Sequence, residues 1–227
     1  MFHFRYVLQP TVKCLQCAGY HHNFLSLADV LIDEDSAEAT MLIESLYEID
    51  DFLRAQFTVL FVQCFRSAYE LELDSQTYRA ILEYAERGAV EEILESDSPG
   101  SRIFLARVDG EIAGTIGFAE LSNTADCWGL YVAPNLKGQG IGSQLILHVC
   151  NSLQTAEILR LGVLASSRKS IAFYLDLGFR PICSADSEFC PGTVLRVITM
   201  EASVRTVRAE LKLRMLTKLL RNSDHGA

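Results

Sequence analysis

The sequence has no long apolar run and comparatively little positive charge. No stretch approaches the roughly 18 consecutive apolar residues of a membrane-spanning helix, so no membrane association is expected. The 227 residues include 20 lysines and arginines against 29 aspartates and glutamates, which gives a formal charge of -9. Because a protein that binds duplex nucleic acid needs a basic face, nucleic acid is not an expected partner. An acidic surface near a site instead attracts cationic amines.

A disulfide framework is also missing. The seven cysteines are an odd number and are scattered from Cys14 to Cys190. This distribution favours a reducing compartment and predicts a cytoplasmic protein. Cys14 and Cys17 have the spacing of paired zinc ligands, but the adjacent His21 and His22 do not complete a zinc-finger spacing. No metal is therefore expected.

The first forty residues show no sustained periodicity, and residues 1–40 are predicted to be a poorly ordered or peripheral extension. They lack the compact apolar core and small-residue cleavage pattern of a secretory signal. The absence of acidic residues before Asp29 partly resembles an organelle-targeting peptide, but serine and arginine are few. An ill-ordered tail, or a start codon placed too early, is the favoured interpretation, and targeting is the alternative.

Residues 41–200 have the patterns of one domain in which helices and strands alternate. After Asp50, apolar residues recur at intervals of three and four, which predicts a helix lying on a core. Asp109-Gly110 between two apolar runs predicts a β-hairpin. The other predicted helices begin at Asp74 or Ser75, after the glycines near 140, and at Ser167. The other predicted strands are 41–47, CWGLYVA, 158–165, 179–184 and 194–200. This order predicts an α/β (α+β) fold, in which helices cover the faces of a mixed sheet.

The most informative segment is LYVAPNLKGQGIGSQL, in which a strand leads through a glycine-rich turn into a helix. Gly138, Gly140 and Gly142 let the backbone bend tightly and let a ligand approach its amides. The first helical turn adds unpaired N–H groups and the positive end of the helix dipole, and Lys137 adds a cation. A pyrophosphate is the predicted ligand.

Two common phosphate-binding motifs do not fit this turn. The dinucleotide fingerprint requires a glycine where Ser143 stands, and Pro134 separates the strand from the turn. A nucleotide P-loop requires Gly-Lys-Ser/Thr after the turn, which is absent. A nucleotide-dependent oxidoreductase is therefore disfavoured, while a purely structural role for the turn stays open.

The run Lys137-Gly138-Gln139-Gly140-Ile141-Gly142 resembles the acyl-CoA signature of GNAT acetyltransferases, in which Gln or Arg is followed by x-x-Gly-x-Gly or Ala. Lysine at the first place keeps the charge and loses the forked donor geometry. A second run, SSRKSIAFYLDLGFRP, resembles the later family motif Asn-x-x-Ala-x-x-x-Tyr-x-x-x-Gly-Phe. Tyr174, Gly178 and Phe179 match this motif, while Ser167 stands at its Asn place and Ser170 at its Ala place. Two independent motifs are far more specific than either alone.

The resemblance implies the GNAT acyl-CoA N-acyltransferase fold, with a mixed, mostly antiparallel sheet, and acetyl-CoA as cosubstrate. The implied reaction transfers an acetyl group to a primary amine by direct attack, with a small-molecule or peptide amine as acceptor. In this family the fourth and fifth strands splay apart and the pantetheine arm lies in the gap. The implied acyl-CoA contacts are Leu130, Tyr131, Val132, Lys137, Gly138, Gln139, Gly140, Ile141, Gly142, Ser143 and Ser167.

The resemblance also suggests the catalytic residues. Tyr174 is the candidate donor to the leaving sulfur, with a core aromatic role as its alternative. A phenol with pKa about 10 cannot easily protonate a thiolate of pKa about 8.5, so hydrogen-bond donation competes with full proton transfer. Some relatives carry a glutamate base at places that correspond here to Gly162 and a position near Thr124. Asp126 is the candidate base; Glu120 or a water chain are alternatives.

Two further questions stay open on the sequence. Because an obvious base is missing, a non-catalytic acyl-CoA-binding sensor or partner-docking module is the alternative to an enzyme. Residues 201–227 form a basic C-terminal tail with apolar residues at helical spacing. This segment is predicted to be a helix that docks an acidic partner or a membrane surface, or one that packs on its own domain or in a homodimer.

Overall fold

A computed structural model of the chain describes residues 41–70, 72–87 and 100–223, with side chains up to residue 217. The zinc hypothesis at Cys14 and Cys17, and the targeting hypothesis for residues 1–40, fall outside the described residues. Within the described ranges, no helix is both long and apolar enough to cross a bilayer.

In the described part of the chain, seven strands form one sheet and five α-helices flank it. The strands are β1 (Met41–Leu46), β2 (Arg102–Val108), β3 (Glu111–Leu121), β4 (Thr124–Val132), β5 (Ile158–Leu164), β6 (Arg180–Cys190) and β7 (Thr193–Ser203). The helices are α1 (Asp51–Tyr69), α2 (Ser75–Arg87), α3 (Ile141–Ser152), α4 (Arg168–Asp176) and α5 (Val204–Ser223). The strand order is β1-β2-β3-β4-β5-β7-β6, in which only β4 and β5 are parallel neighbours. The predicted mixed, mostly antiparallel sheet is confirmed.

Local side-chain chemistry starts the first two helices where the sequence predicts. The Asp50 carboxylate accepts a hydrogen bond from the Leu53 amide at 2.7 Å, which caps α1. The Asp74 carboxylate accepts from the amides of Gln76 and Thr77, each at 3.0 Å, at the start of α2. These bonds satisfy N–H groups that have no partner inside a helix.

The two faces of the sheet carry different helices. Helix α1 buries Phe57 and Phe61 against Ile103 and Leu105 of β2. On the opposite face, a larger core joins α3, α4 and α5. Each large apolar side chain buried in this way contributes about 1.5–3 kcal/mol. The sheet is therefore covered on both faces around β2 and β3.

The C-terminal helix α5 packs on its own domain. Val207 and Leu211 are buried in the larger core beside α3. Strand β7 runs on to Ser203, so the predicted strand end at Met200 was too early. In the folded chain, Glu201 is compensated by Arg160 on β5, with their side chains 2.6 Å apart.

Glu120 at the end of β3 is a structural anchor. Its carboxylate accepts hydrogen bonds from the amides of Gln154, Thr155 and Ala156, in the loop that follows α3. Burial alone would raise the pKa of this carboxyl, but the amide donors outweigh burial and lower it to about 2. The lowered pKa makes Glu120 a weak proton acceptor, so Asp126 stays the preferred candidate for the base.

Replacing Glu120 with glutamine should lower the free energy of unfolding by about 1 kcal/mol near neutral pH, since hydrogen bonds to a charged acceptor are lost at a partly exposed site. The depressed pKa means that the stabilisation is present above the ordinary glutamate pKa of 4.5 and disappears as pH falls toward 2. Urea unfolding of both proteins from pH 3 to pH 7 measures this difference. Glu111→Gln, an exposed change on the same strand, should have no comparable effect. A difference that does not depend on pH would contradict the assignment.

Candidate active site

The glycine-rich turn between β4 and α3 holds two residues in the left-handed region. Gly138 has φ 83° and Gly140 has φ 99°. A short 3-10 turn at Pro134–Leu136 precedes them, and Gly140 is the N-cap of α3. Because Gly140 has no side chain, no side-chain oxygen caps the helix. The first amides of α3 are therefore left to a partner from outside the helix.

The space above this turn is open. A Cβ atom added at Gly138 or at Gly140 would meet no protein atom within 4 Å. These glycines are thus required by backbone conformation and not by close packing against the rest of the chain. Lys137 adds a positive charge, and its ammonium donates to Ser67 Oγ on α1 at 3.4 Å. The turn thus has a backbone conformation and a charge that suit an anion, and the binding of a pyrophosphate there stays a prediction.

Strands β4 and β5 part beside the turn. They pair in parallel only from Thr124 to Cys127 on β4 and from Ile158 to Leu161 on β5. Both strands lie wholly within the described part of the chain, and beyond these rungs no pairing joins them. The predicted splay is confirmed. From Trp128 to Val132, which includes the three residues predicted to hold pantetheine, β4 is not paired with β5.

A β-bulge shapes that segment. Between the pairs Thr115–Tyr131 and Gly117–Trp128, β4 has one residue more than β3, and Gly129 there has φ 59°. Such a bulge re-aims backbone groups next to a site. The Leu130 and Val132 side chains pack on the larger core, while the Tyr131 ring lies against α1. The side chains of this segment thus pack on the cores of the two faces of the sheet.

The thiol of Cys64 on α1 donates to the Val132 carbonyl oxygen at 3.3 Å. Burial raises the pKa of this thiol to about 11, although Lys137 and the bond to Val132 both lower it. Cys64 therefore stays protonated and acts as a donor. The contact ties α1 to the end of β4.

The two sequence motifs meet at Gly142. A Cβ atom at this position would lie 3.5 Å from Val132 on β4 and 3.9 Å from Phe173 on α4. The start of α3, the end of β4 and the helix that carries Tyr174 are therefore neighbours in space. Residues that are far apart in the sequence converge on one place, as a shared ligand would require.

The structure places Ser167 and Tyr174 at opposite ends of α4. Ser167 is buried at its N-cap, makes no capping bond with its side chain, and has Oγ 3.5 Å from a Glu72 carboxylate oxygen. Tyr174 is buried in the larger core, with its ring 5.3 Å from Phe173 and 5.5 Å from Phe179. The ring of Tyr174 is therefore fixed by packing. Its catalytic role stays a prediction.

Asp126 lies on β4, on the last rungs before the strands part. Its Oδ1 is buried and, among the described residues, makes no hydrogen bond; the closest charge is Arg160 Nη1 at 3.8 Å. Burial raises the pKa of the Asp126 carboxyl, Arg160 lowers it and Glu201 raises it. A carboxylate with these properties is suited to accept a proton.

Sequence reasoning did not find Arg160 and Glu201. Arg160 is the single charged residue of β5, ILRLGVL, and Glu201 follows the uncharged run VITM near the end of β7. That exception to the apolar pattern was the available signal. The two places at which the resemblance suggests a glutamate base, Gly162 and a position near Thr124, carry no glutamate. In the described ranges, no three metal-ligating side chains are grouped as a metal site would require.

Comparison with known families identifies this arrangement. The sequence profile of the acetyltransferase (GNAT) family matches residues 59–179, which are 121 of the 227 residues. The chain belongs to the GNAT family. The match includes α3, the splayed strands and all of α4, so it contains the glycine turn and Tyr174 together.

Solved structures show the same GNAT fold. The ribosomal-protein-S18-alanine N-acetyltransferase from Escherichia coli is 18% identical, with a TM-score of 0.51 over 73% of this chain and 94% of that one. The PaiA N-acetyltransferase from Thermoplasma acidophilum, solved in complex with coenzyme A, is 20% identical, with a TM-score of 0.54 over 72% and 99%. PH1933 from Pyrococcus horikoshii OT3 is 18% identical, with a TM-score of 0.53 over 72% and 98%. Among curated proteins, no match was found.

Proposed function

We propose that this GNAT protein is an acetyl-CoA-dependent N-acetyltransferase that acts on a primary amine of a small molecule or peptide. The observation that carries the proposal is the continuity of the open glycine turn with the gap between β4 and β5. The glycine turn offers backbone amides to a diphosphate. The gap between β4 and β5 offers a strand edge to an extended arm that contains amides. Acyl-CoA has these two parts in this order.

The backbone positions the acyl donor. In this proposal the amides of residues 138–143 bind the diphosphate, with Lys137 supplying charge and Ser167 lying near the ligand at the start of α4. Backbone groups of Leu130, Tyr131 and Val132 bind the pantetheine arm as an added strand would. The Leu130 amide, aimed by the bulge at Gly129, donates to the thioester oxygen as negative charge develops there.

The reaction is a direct displacement. The amine nitrogen forms a bond to the thioester carbon, the carbon–sulfur bond breaks, and coenzyme A leaves as the thiolate. Tyr174 donates a hydrogen bond or a proton to that sulfur. Asp126 receives the proton that the amine must lose. Four residues of strand, about 13 Å of extended chain, separate Asp126 from Leu130, so a chain of water molecules relays this proton.

Replacing Asp126 with asparagine should lower kcat/KM for the amine about 100-fold, the lower end of the effect of a positioned base. Binding of acetyl-CoA should not change, because Asp126 lies where β4 is still paired with β5, outside the gap proposed to hold the pantetheine arm. Wild-type kcat/KM should fall as the pH drops through the Asp126 pKa, at a higher pH than for an ordinary aspartate, and this decline should be absent from the variant. Steady-state kinetics across pH measures both effects.

Asp186→Asn is the matched control, because Asp186 is a well-exposed aspartate on β6 that pairs with Arg196. It should behave as the wild-type protein does. An Asp126→Asn variant with full activity and an unchanged pH profile would exclude Asp126 as the base.

A non-catalytic acyl-CoA sensor is the second candidate. It is favoured by one observation, the lack of a glutamate at Gly162 and at a position near Thr124, the two places at which the resemblance suggests a glutamate base. A sensor would bind acetyl-CoA at the same turn and gap and would transfer nothing. Turnover with an amine therefore separates the two candidates, and binding alone does not.

A further inference from the structure

A row of alternating charges crosses one rung of the sheet. The paired residues along it, from β3 through β4, β5 and β7 to β6, are Ala119, Asp126, Arg160, Glu201 and Arg180. Since paired residues on neighbouring strands point to the same face, these side chains share one surface. The row reads neutral, negative, positive, negative, positive. Asp126 is the first charged residue of this row and pairs on one side with the neutral Ala119.

The contacts within this row are unequal. Arg160 Nε donates to Glu201 Oε1 at 2.6 Å, whereas Arg160 Nη1 stays 3.8 Å from Asp126 Oδ1, beyond hydrogen-bond distance. All three side chains are partly buried, with exposed fractions between 23% and 28%. The Arg160 guanidinium thus donates its hydrogen bond to Glu201, whereas Asp126 lies within reach of the guanidinium charge without a hydrogen bond.

We infer that Arg160 and Glu201 are positioning residues that hold Asp126 as a carboxylate able to gain and lose a proton; the inference rests on the proposed function. A direct bidentate bond from Arg160 would stabilise the charged carboxylate and weaken it as a base. Complete loss of Arg160 would leave the carboxylates of Asp126 and Glu201 on either side of β5 with no positive charge between them. The observed arrangement lies between these extremes.

Other charged groups do not replace this pair. Arg160 and Glu201 are the charges that act on Asp126. On β3 its partner Ala119 is uncharged. On β6, Arg180 pairs with Glu201 across the rung and turns a guanidinium N–H to the Phe179 carbonyl oxygen at 2.9 Å. The protonation of Asp126 should therefore respond to changes at Arg160 and Glu201 in opposite directions.

The test is a ¹³C NMR titration of the Asp126 carboxyl carbon in the full chain, assigned by its loss in Asp126→Asn. In Glu201→Gln the titration midpoint should fall by about half a pH unit or more, since a nearby negative charge is removed and Arg160 is freed for Asp126. In Arg160→Met it should rise by a similar amount. In Arg196→Met, which removes an exposed arginine from β7, it should not move.

Kinetics supplies a second readout. The acid limb of the kcat/KM profile should shift with the NMR midpoint in each variant, while KM for acetyl-CoA stays constant. Midpoints that do not move, or that move in the same direction in both variants, would overturn the inference. If Arg160→Met fails to fold, Glu201→Gln, which preserves side-chain volume, decides alone. Shifts as expected without acetyl transfer by the wild type would refute the proposed function and leave the electrostatic arrangement standing; turnover with unmoved midpoints would refute the inference alone.

Discussion

Gly140→Asp should weaken binding of acetyl-CoA about 100-fold or more. The new carboxylate repels the diphosphate and moves it away from the backbone amides of the turn, which costs at least one charge-assisted hydrogen bond. A Cβ at this position meets no protein atom within 4 Å, so the protein itself has room for the new side chain. The space it would fill is the space that the diphosphate is proposed to occupy. Calorimetric titration of both proteins with acetyl-CoA measures the loss.

Backbone strain is the other consequence of this substitution, and it can be controlled. Gly140 has φ 99°, so a side chain there costs about 1 kcal/mol of stability. Gly110 in the β2–β3 turn has φ 85° and equally open surroundings, but it lies outside both family motifs. Gly110→Asp should therefore show a similar loss of stability in thermal unfolding and unchanged affinity. Equal loss of affinity in the two variants would contradict the placement of the diphosphate.

Tyr174→Phe should lower kcat about 100-fold and leave KM for acetyl-CoA nearly unchanged. The variant lacks the hydroxyl proposed to donate to the leaving sulfur, an interaction that strengthens only as the thiolate forms. The ring itself is fixed between Phe173 and Phe179, and phenylalanine keeps this packing. Stability should consequently change by less than about 1 kcal/mol. Steady-state kinetics with thermal unfolding separates these effects.

Removal of a hydroxyl elsewhere is the control for this variant. Tyr78 is a half-buried tyrosine of α2, remote from the second motif in sequence, and Tyr78→Phe should keep full kcat. A Tyr174→Phe variant with full kcat would show that Tyr174 is only the core aromatic that its packing describes. A fall in kcat that is matched by an equal loss of stability would contradict a catalytic role in the same way.

Local chemistry explains which parts of the fold were predictable. Asp50 and Asp74 cap helices through bonds within three residues, and Asp109-Gly110 adopts positive φ at both places, as a tight hairpin requires. Such features are set by neighbouring residues. The full lengths of β6 and β7 were not predicted, because partner strands set them: β6 pairs with β7 from Arg180 to Cys190, and the end of β7, from Glu201 to Ser203, pairs with β5. Most of β6 is also exposed and lacks apolar alternation.

The same distinction applies to the site. The glycine turn at Gly138 and Gly140 was predictable because it depends on local backbone conformation, and both residues have the positive φ that favours glycine. The charged neighbours of Asp126 could not be predicted from local sequence. Arg160 and Glu201 come from two other strands, and only the register of the folded sheet brings them onto one rung with Asp126. Long-range pairing of this kind leaves no local pattern in the sequence.

Acetyl transfer itself is the measurement that tests the central claim most directly. The full chain is incubated with acetyl-CoA and a panel of primary amines that includes polyamines, aminoglycosides, amino acids, and peptides with free N-termini or lysines. Release of the coenzyme A thiol and the mass of the acceptor are followed together. The account predicts thiol release that depends on one class of amine, with a gain of one acetyl group on that amine and a loss of activity in Tyr174→Phe. Saturable binding of acetyl-CoA with no transfer to any of these amines would contradict the enzyme and favour the sensor.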